Sequence, residues 1–101
     1  MTKEEIETLL MKLGANKSLK GFNMFVDLIL LLLEDFKDNP YKTKYKISDY
    51  YYAISNKYDV KLDSVPANIR TAVTTSNIYG DGLTPKDVID MILRKLEKRG
   101  N

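Results

Sequence analysis

Three carboxylates lie close together in the sequence, at Glu34, Asp35 and Asp38. Paired carboxylates can perform acid–base catalysis or bind a cation. However, no glycine-rich phosphate loop or metal-ligand spacing accompanies them, and the chain contains no histidine and no cysteine. Imidazole bases, thiol nucleophiles, most zinc sites and disulfides are therefore excluded. We interpret the three carboxylates as a solvated helix end, and the sequence predicts a protein that is not an enzyme, with no catalytic residues, no metal and no cofactor.

A second set of reactive side chains is basic and lies in the middle of the chain: Lys42, Lys44, Lys46, Lys57 and Lys61. Such lysines can neutralise nucleic-acid phosphates, although each is also compatible with an ordinary solvated surface. The formal net charge is +2 and the pI is 8.7, just below the values above ~9 that are typical of strong nucleic-acid binders. Net charge therefore permits a DNA partner without requiring one.

The elements that must position these side chains are predicted to be helices. Apolar residues recur at helical spacing over approximately 3–13, 20–36, 49–58, 64–77 and 85–96. The predicted N-terminal caps include Thr2 (paired with Glu5), Ser18, Ser48 and Thr84. The apolar stretch 25–33 is about half the ~20 residues needed to span a bilayer, so we predict a buried helix and no membrane association. The expected fold is all-α, with five to six helices in one cytoplasmic domain covering 1–101.

The pair of helices around 48–77 has the pattern of a helix-turn-helix: a helix, the short turn Asp59-Val60-Lys61-Leu62, and a second helix with an apolar inner stripe. This pattern alone is weak, because helix pairs with short turns are common in all-α proteins. Within the first helix, Tyr50, Tyr51 and Tyr52 are consecutive and must point in three directions. We predict that Tyr51 packs inside while one neighbour covers helix two.

The run from Ile54 to Val73 resembles the C-terminal DNA-binding effector domain of the sporulation response regulator of endospore-forming bacteria. The resemblance is carried without a gap by Ile54, Lys57-Tyr58, Val65, Ile69-Arg70 and Ala72-Val73. Upstream, Lys20-Gly21-Phe22 is similar to that family's opening, and 84–96 is similar to its closing helix. The segment between helices four and five is shorter than in the family, which predicts one family helix reduced to a turn around Tyr79-Gly80.

The resemblance implies a small transcriptional regulator that binds double-stranded DNA with its fourth helix in the major groove. The residues expected nearest the bases are Ser64, Ala67, Asn68, Arg70, Thr71 and Thr74. The five lysines named above are expected to contact phosphates. A homodimer or tandem binding would supply the second contact that single modules of this size need.

An alternative arises because Ser64, Pro66 and Ala67 stand where the family carries arginine and glutamate. None of the three can make a bidentate contact to guanine. Under this alternative, the chain is a protein-interaction module that keeps the fold but has lost DNA readout. It antagonises or scaffolds a protein partner. The neutral face of helix four favours this alternative, whereas the lysines around the turn favour DNA binding.

Overall fold

The computed structural model describes the backbone of residues 1–74 and 84–100 and the side chains of 1–73 and 84–96. Within these ranges the regular structure is entirely helical, which confirms the all-α prediction. The elements are α1 (Lys3–Lys12), α2 (Lys20–Asp38), a 3-10 helix (Ile47–Tyr50), α3 (Tyr51–Tyr58), α4 (Ser64–Thr74) and α5 (Pro85–Gly100). The predicted end of helix four near Asn77 and the predicted turn at Tyr79-Gly80 lie outside the described residues.

Two helices begin with reciprocal capping pairs that were readable from the sequence. The Thr2 amide donates to Glu5 Oε1 at 3.0 Å, and the Glu5 amide donates to Thr2 Oγ1 at 3.2 Å. At the start of α5, the Thr84 amide donates to Asp87 Oδ2 at 2.9 Å and the Asp87 amide donates to Thr84 Oγ1 at 3.2 Å. Each pair satisfies two backbone donors that a helix start would otherwise leave unpaired.

The serine caps predicted at Ser18 and Ser48 were wrong. The residue before α2 is Leu19, and the residue before the 3-10 helix is Lys46, neither with a side-chain cap. Ser18 instead donates from its hydroxyl to Asn16 Oδ1 at 2.6 Å. Serine competes for turns as well as for caps, so its position before a helix did not fix its role.

Helix α2 forms the centre of the hydrophobic core: α1, α3 and α4 pack against it, and α5 packs against α4. Its fully buried side chains include Phe22, Phe25, Leu28, Ile29 and Leu32. The predicted apolar stretch is therefore buried inside the protein. None of the described helices combines the length and the apolar composition required to cross a bilayer.

Gly21 lies where α2 crosses α4, and it allows the two helix backbones to touch. A Cβ placed on Gly21 would lie 1.8 Å from the carbonyl oxygen of Asn68 and 2.4 Å from its carbonyl carbon. No residue with a side chain fits at such a distance. Gly21 therefore determines how closely α4 approaches the centre of the protein.

The prediction for the three consecutive tyrosines holds in part, because Tyr51 packs against the core and its neighbour Tyr50 covers α2, where it bonds to Asp35. Tyr50 is the most buried, at 9% exposure, whereas Tyr51 is only partly buried and Tyr52 is 67% exposed. The predicted helix begins with a 3-10 turn that ends at Tyr50. A 3-10 helix has three residues per turn, whereas an α-helix has 3.6. This difference in spacing directs Tyr50, rather than Tyr51, toward α2.

Candidate nucleic-acid interface

Helices α3 and α4 are joined by a tight turn at the predicted position. Asp59 ends α3 in the left-handed conformation, with φ 52°, which aspartate tolerates better than most residues. The Val60 amide then donates to the Ser55 carbonyl at 3.1 Å, and the Ser64 amide donates to the Lys61 carbonyl at 3.0 Å as α4 begins. The turn is therefore held by backbone hydrogen bonds at both ends.

Helix α4 has one buried face and one exposed face, as its sequence predicted. Val65, Ile69 and Ala72 are fully buried, whereas Ala67, Arg70 and Thr71 are exposed. Among the other residues expected near the bases, Ser64 and Asn68 are half-buried at one margin. The side chain of Thr74 lies outside the described residues.

Three polar side chains, two at this margin and Thr71 on the exposed face, direct hydrogen-bond donors to the backbone of their own segment. Ser64 Oγ donates to the Lys61 carbonyl at 2.7 Å, and Asn68 Nδ2 donates to the Ser64 carbonyl at 2.8 Å. Thr71 Oγ1 donates to the Ala67 carbonyl at 2.9 Å. A base acceptor would have to replace the bonds of Ser64 and Thr71, whereas Asn68 Nδ2 keeps a second N–H, so direct readout by donated hydrogen bonds is limited to few side chains of this face.

Arg70 occupies the opposite margin of α4, beside α3. Its charge acts on Tyr51: burial raises the pKa of the Tyr51 hydroxyl, and the positive charge of Arg70 opposes that increase. The exposed face of α4 thus has a cationic side next to the first helix of the helix-turn-helix.

Lys42 is held by a carboxylate at the end of α2. Its Nζ lies 2.5 Å from Asp35 Oδ2, which also accepts the Tyr50 hydroxyl at 2.7 Å, while Asn39 Nδ2 donates to Asp35 Oδ1 at 2.9 Å. The hydrogen bond from Lys42, followed by that from Tyr50, lowers the pKa of Asp35. The same bond raises the pKa of Lys42. The interpretation of this carboxylate cluster as merely solvated was wrong for Asp35.

Lys57 is also paired, because its Nζ lies 3.1 Å from Asp27 Oδ2 in the middle of α2. The Tyr58 hydroxyl donates to the same carboxylate oxygen, and burial together with this bond raises the pKa of Tyr58. These contacts attach α3 to α2. The sequence carried a signal for them, since Asp27 is the lone charge in an apolar stretch and such a charge requires a partner.

The remaining three lysines of the predicted phosphate set, Lys44, Lys46 and Lys61, are exposed and form no ion pair with the described residues. Lys44 and Lys46 flank Tyr45, whose hydroxyl donates to Asp90 Oδ1 of α5 at 2.7 Å. The Tyr45 ring also packs edge-on against Phe36, with centroids 6.3 Å apart. The backbone that carries these two lysines is thus fixed between α2 and α5.

Replacing Asp35 with asparagine will remove acid-sensitive stability from this cluster. The pKa of Asp35 in the folded state lies below its ordinary value of 3.8, so the ionised form stabilises the fold above that pH. This contribution is lost as the pH falls through the lower folded value. Thermal unfolding from pH 7 to pH 2 will show Asp35→Asn less stable than the unaltered protein at pH 7, with the difference closing below pH 3.8.

Asp38→Asn is the matched control, because Asp38 is exposed one turn away and bonds to no described side chain. The difference in thermal stability between Asp38→Asn and the unaltered protein should not close as the pH falls. A pH-independent difference for Asp35→Asn would contradict the assigned role of its charge.

The family of the sporulation initiation factor Spo0A C terminal matches residues 6–101. The chain belongs to this family. The match includes all of α2, the Gly21 contact and both helices of the helix-turn-helix. Members of the family are DNA-binding domains that act in transcription regulation and sporulation. No curated protein sequence matches the chain at a significant level.

Proposed function

We propose that this Spo0A C-terminal-family domain binds double-stranded DNA through α4 and acts in transcription regulation. The observation that carries the proposal is the exposed face of Ala67, Arg70 and Thr71 on a helix whose opposite face is fully buried. A major groove about 12 Å wide admits such a helix. The predicted base-facing set of Ser64, Ala67, Asn68, Arg70, Thr71 and Thr74 remains the proposed groove surface.

The binding is proposed to depend mainly on phosphates and groove shape. Ser64 and Thr71 donate their hydroxyls, and Asn68 one of its two amide N–H groups, within the segment 61–71. Arg70 is the long basic side chain of this face. Phosphate contacts supply affinity that is independent of base sequence and falls steeply with salt. We therefore expect modest sequence discrimination, with useful affinity requiring a homodimer or tandem copies.

Arg70→Ala will weaken duplex binding by about 1–3 kcal/mol, or roughly 5- to 150-fold. The measurement is fluorescence anisotropy with a labelled random duplex pool at ~50 mM and ~200 mM salt, and the unaltered chain should bind below micromolar concentration at the lower value. Arg94→Ala is the control, because Arg94 is exposed on α5 and its replacement removes the same charge. Equal losses for the two variants would contradict a specific role for Arg70.

A protein-interaction module is the second candidate function. Leu62, in the turn before α4, is 52% exposed, and Tyr52 on α3 is 67% exposed. Exposed large apolar and aromatic residues are typical of protein interfaces. Absence of duplex binding at ~50 mM salt, where the phosphate contribution is strongest, would favour this candidate over DNA binding.

A further inference from the structure

The segment from Gly14 to Lys20, which is the first residue of α2, lies along the side of α4 opposite Arg70. It will be called the 14–20 loop. The Asn16 amide donates to the Ala72 carbonyl at 3.1 Å, and Gly21, directly after the loop, touches the Asn68 backbone. The loop therefore follows α4 over one turn of that helix, between two backbone contacts.

Its internal hydrogen bonds give the loop a fixed shape. Gly14 reverses the chain with φ 92°, and the Ala15 amide donates to the Leu10 carbonyl at 2.9 Å. Asn16 Oδ1 accepts the Ser18 amide at 3.0 Å and the Ser18 hydroxyl at 2.6 Å, which is the hydrogen bonding of an Asx turn. A loop held in this way can present side chains without a large ordering cost on binding.

The two charges of the loop are both positive. Lys20 is exposed and forms no ion pair with any described residue. Lys17 has a side chain that is 61% exposed and a single contact to Glu7, at 3.9 Å, which is too long for a hydrogen bond. The Glu7 side chain is only 18% exposed, but at this distance the pair contributes little stability, so both ammonium groups are available to an anion.

The position of the loop completes the surface around α4. Around the axis of α4, at 100° per residue, Arg70 lies on one margin of the exposed face and Asn68 lies on the other. Arg70 adjoins α3, whereas Asn68 adjoins Gly21 and the 14–20 loop. Lys42, in contrast, binds Asp35, which lies 14 residues beyond Gly21 and therefore about 21 Å further along α2.

We infer that Lys17 and Lys20 form a phosphate-binding edge, so that cations line both margins of the α4 face. The inference rests on the proposed DNA binding and adds a contact site for the second phosphate strand of the same groove. The ligand is the DNA backbone, because two mobile ammonium groups without an aligned planar donor suit point-charge contact to phosphate rather than base readout.

The test compares the double variant Lys17→Gln/Lys20→Gln with the control Lys3→Gln/Lys37→Gln, which removes two exposed lysines outside both α4 and the 14–20 loop. Duplex affinity is measured by fluorescence anisotropy from ~50 to ~200 mM salt, and thermal unfolding verifies that each variant is folded. Each lost phosphate contact reduces the slope of log affinity against log salt by ~0.9. The loop variant should therefore lose about 1.8 in slope and at least about tenfold in affinity, while the control changes by less than about twofold.

Equal affinities and slopes for the two double variants, with the unaltered chain binding DNA, would overturn the phosphate edge and leave the proposed function standing. No binding by the unaltered chain at ~50 mM salt would overturn both. A single-variant series, with Lys17→Gln and Lys20→Gln apart, should divide the slope change between the two positions. A slope change confined to one position would overturn the edge of two lysines.

Discussion

Replacing Gly21 with alanine will lower the free energy of unfolding by about 3 kcal/mol or more. The added Cβ would lie 1.8 Å from the Asn68 carbonyl oxygen, and this neighbour is backbone in the middle of α4. Relief therefore requires α4 as a whole to move away from α2, which opens the core around Ile69 and Ala72. Overpacking commonly costs about 1–3 kcal/mol and more where the neighbour cannot yield.

The sign of the change in stability distinguishes the steric clash of the Cβ with α4 from the effect of helix propensity. In an ordinary helix, replacing glycine with alanine stabilises by about 0.5–1 kcal/mol, so a net loss identifies the contact with α4. For a chain of this length the melting temperature should fall by at least about 12 °C, measured by circular dichroism. Asn23→Ala, at an exposed site on the same helix, is the control and should shift it by only a few degrees. An unchanged or raised melting temperature for Gly21→Ala would show that the two backbones are not in contact.

Neutralising Lys44, Lys46 and Lys61 together will reduce DNA affinity by roughly 100-fold at ~0.1 M salt. These three lysines form no ion pair with the described part of the chain, so phosphate contacts would compete with nothing inside the protein. The slope of log affinity against log salt should fall by about 2.7, or ~0.9 per lysine. The glutamine triple variant, titrated by fluorescence anisotropy, gives both quantities.

Two further variants test whether the loss of affinity depends on the positions of these lysines or only on net charge. Neutralising Lys3, Lys37 and Lys95, which are exposed elsewhere, removes the same charge and should leave the slope within about 0.5 of its original value. Neutralising Lys42 and Lys57 should lower the melting temperature, because Asp35 and Asp27 would each lose a partner, with a smaller loss of slope per lysine. If all three variants lose the same slope per lysine, the affinity reflects net charge alone and the assignment of phosphate contacts to these lysines is wrong.

Local signals in the sequence predicted four of the five α-helix starts, at 3, 20, 64 and 85, whereas the predicted ends of α2 at 36 and of α5 at 96 fell short of Asp38 and Gly100. The Thr2–Glu5 and Thr84–Asp87 pairs begin their helices as expected, and Gly14 and Pro40 lie just past the ends of α1 and α2. These features involve residues three or four apart, so the neighbouring sequence determines them. The buried stripe of α4 was predictable for the same reason, because helical spacing alone assigns Val65, Ile69 and Ala72 to one face.

Contacts between residues far apart in the chain were not predictable in this way. Nothing next to Lys42 in the sequence reveals Asp35 as its partner, and Gly21 looked like part of a family motif rather than a point of contact with α4. The choice of Tyr50 over Tyr51 as the buried tyrosine depends on a short 3-10 turn, which periodicity does not detect. The five lysines expected to contact phosphates were predicted from residue type. Which of them form ion pairs depends on neighbours in the folded structure, which the sequence does not reveal.

The way in which α4 is attached has a consequence for how this domain can diverge. The helix is held by its buried stripe, by the backbone contact at Gly21 and by the bond from the Asn16 amide to the Ala72 carbonyl. None of these attachments uses the side chains of Ala67, Arg70 or Thr71. Mutations on that outer face therefore leave these three attachments intact, and a lineage can exchange its recognition residues while selection continues to maintain the same scaffold.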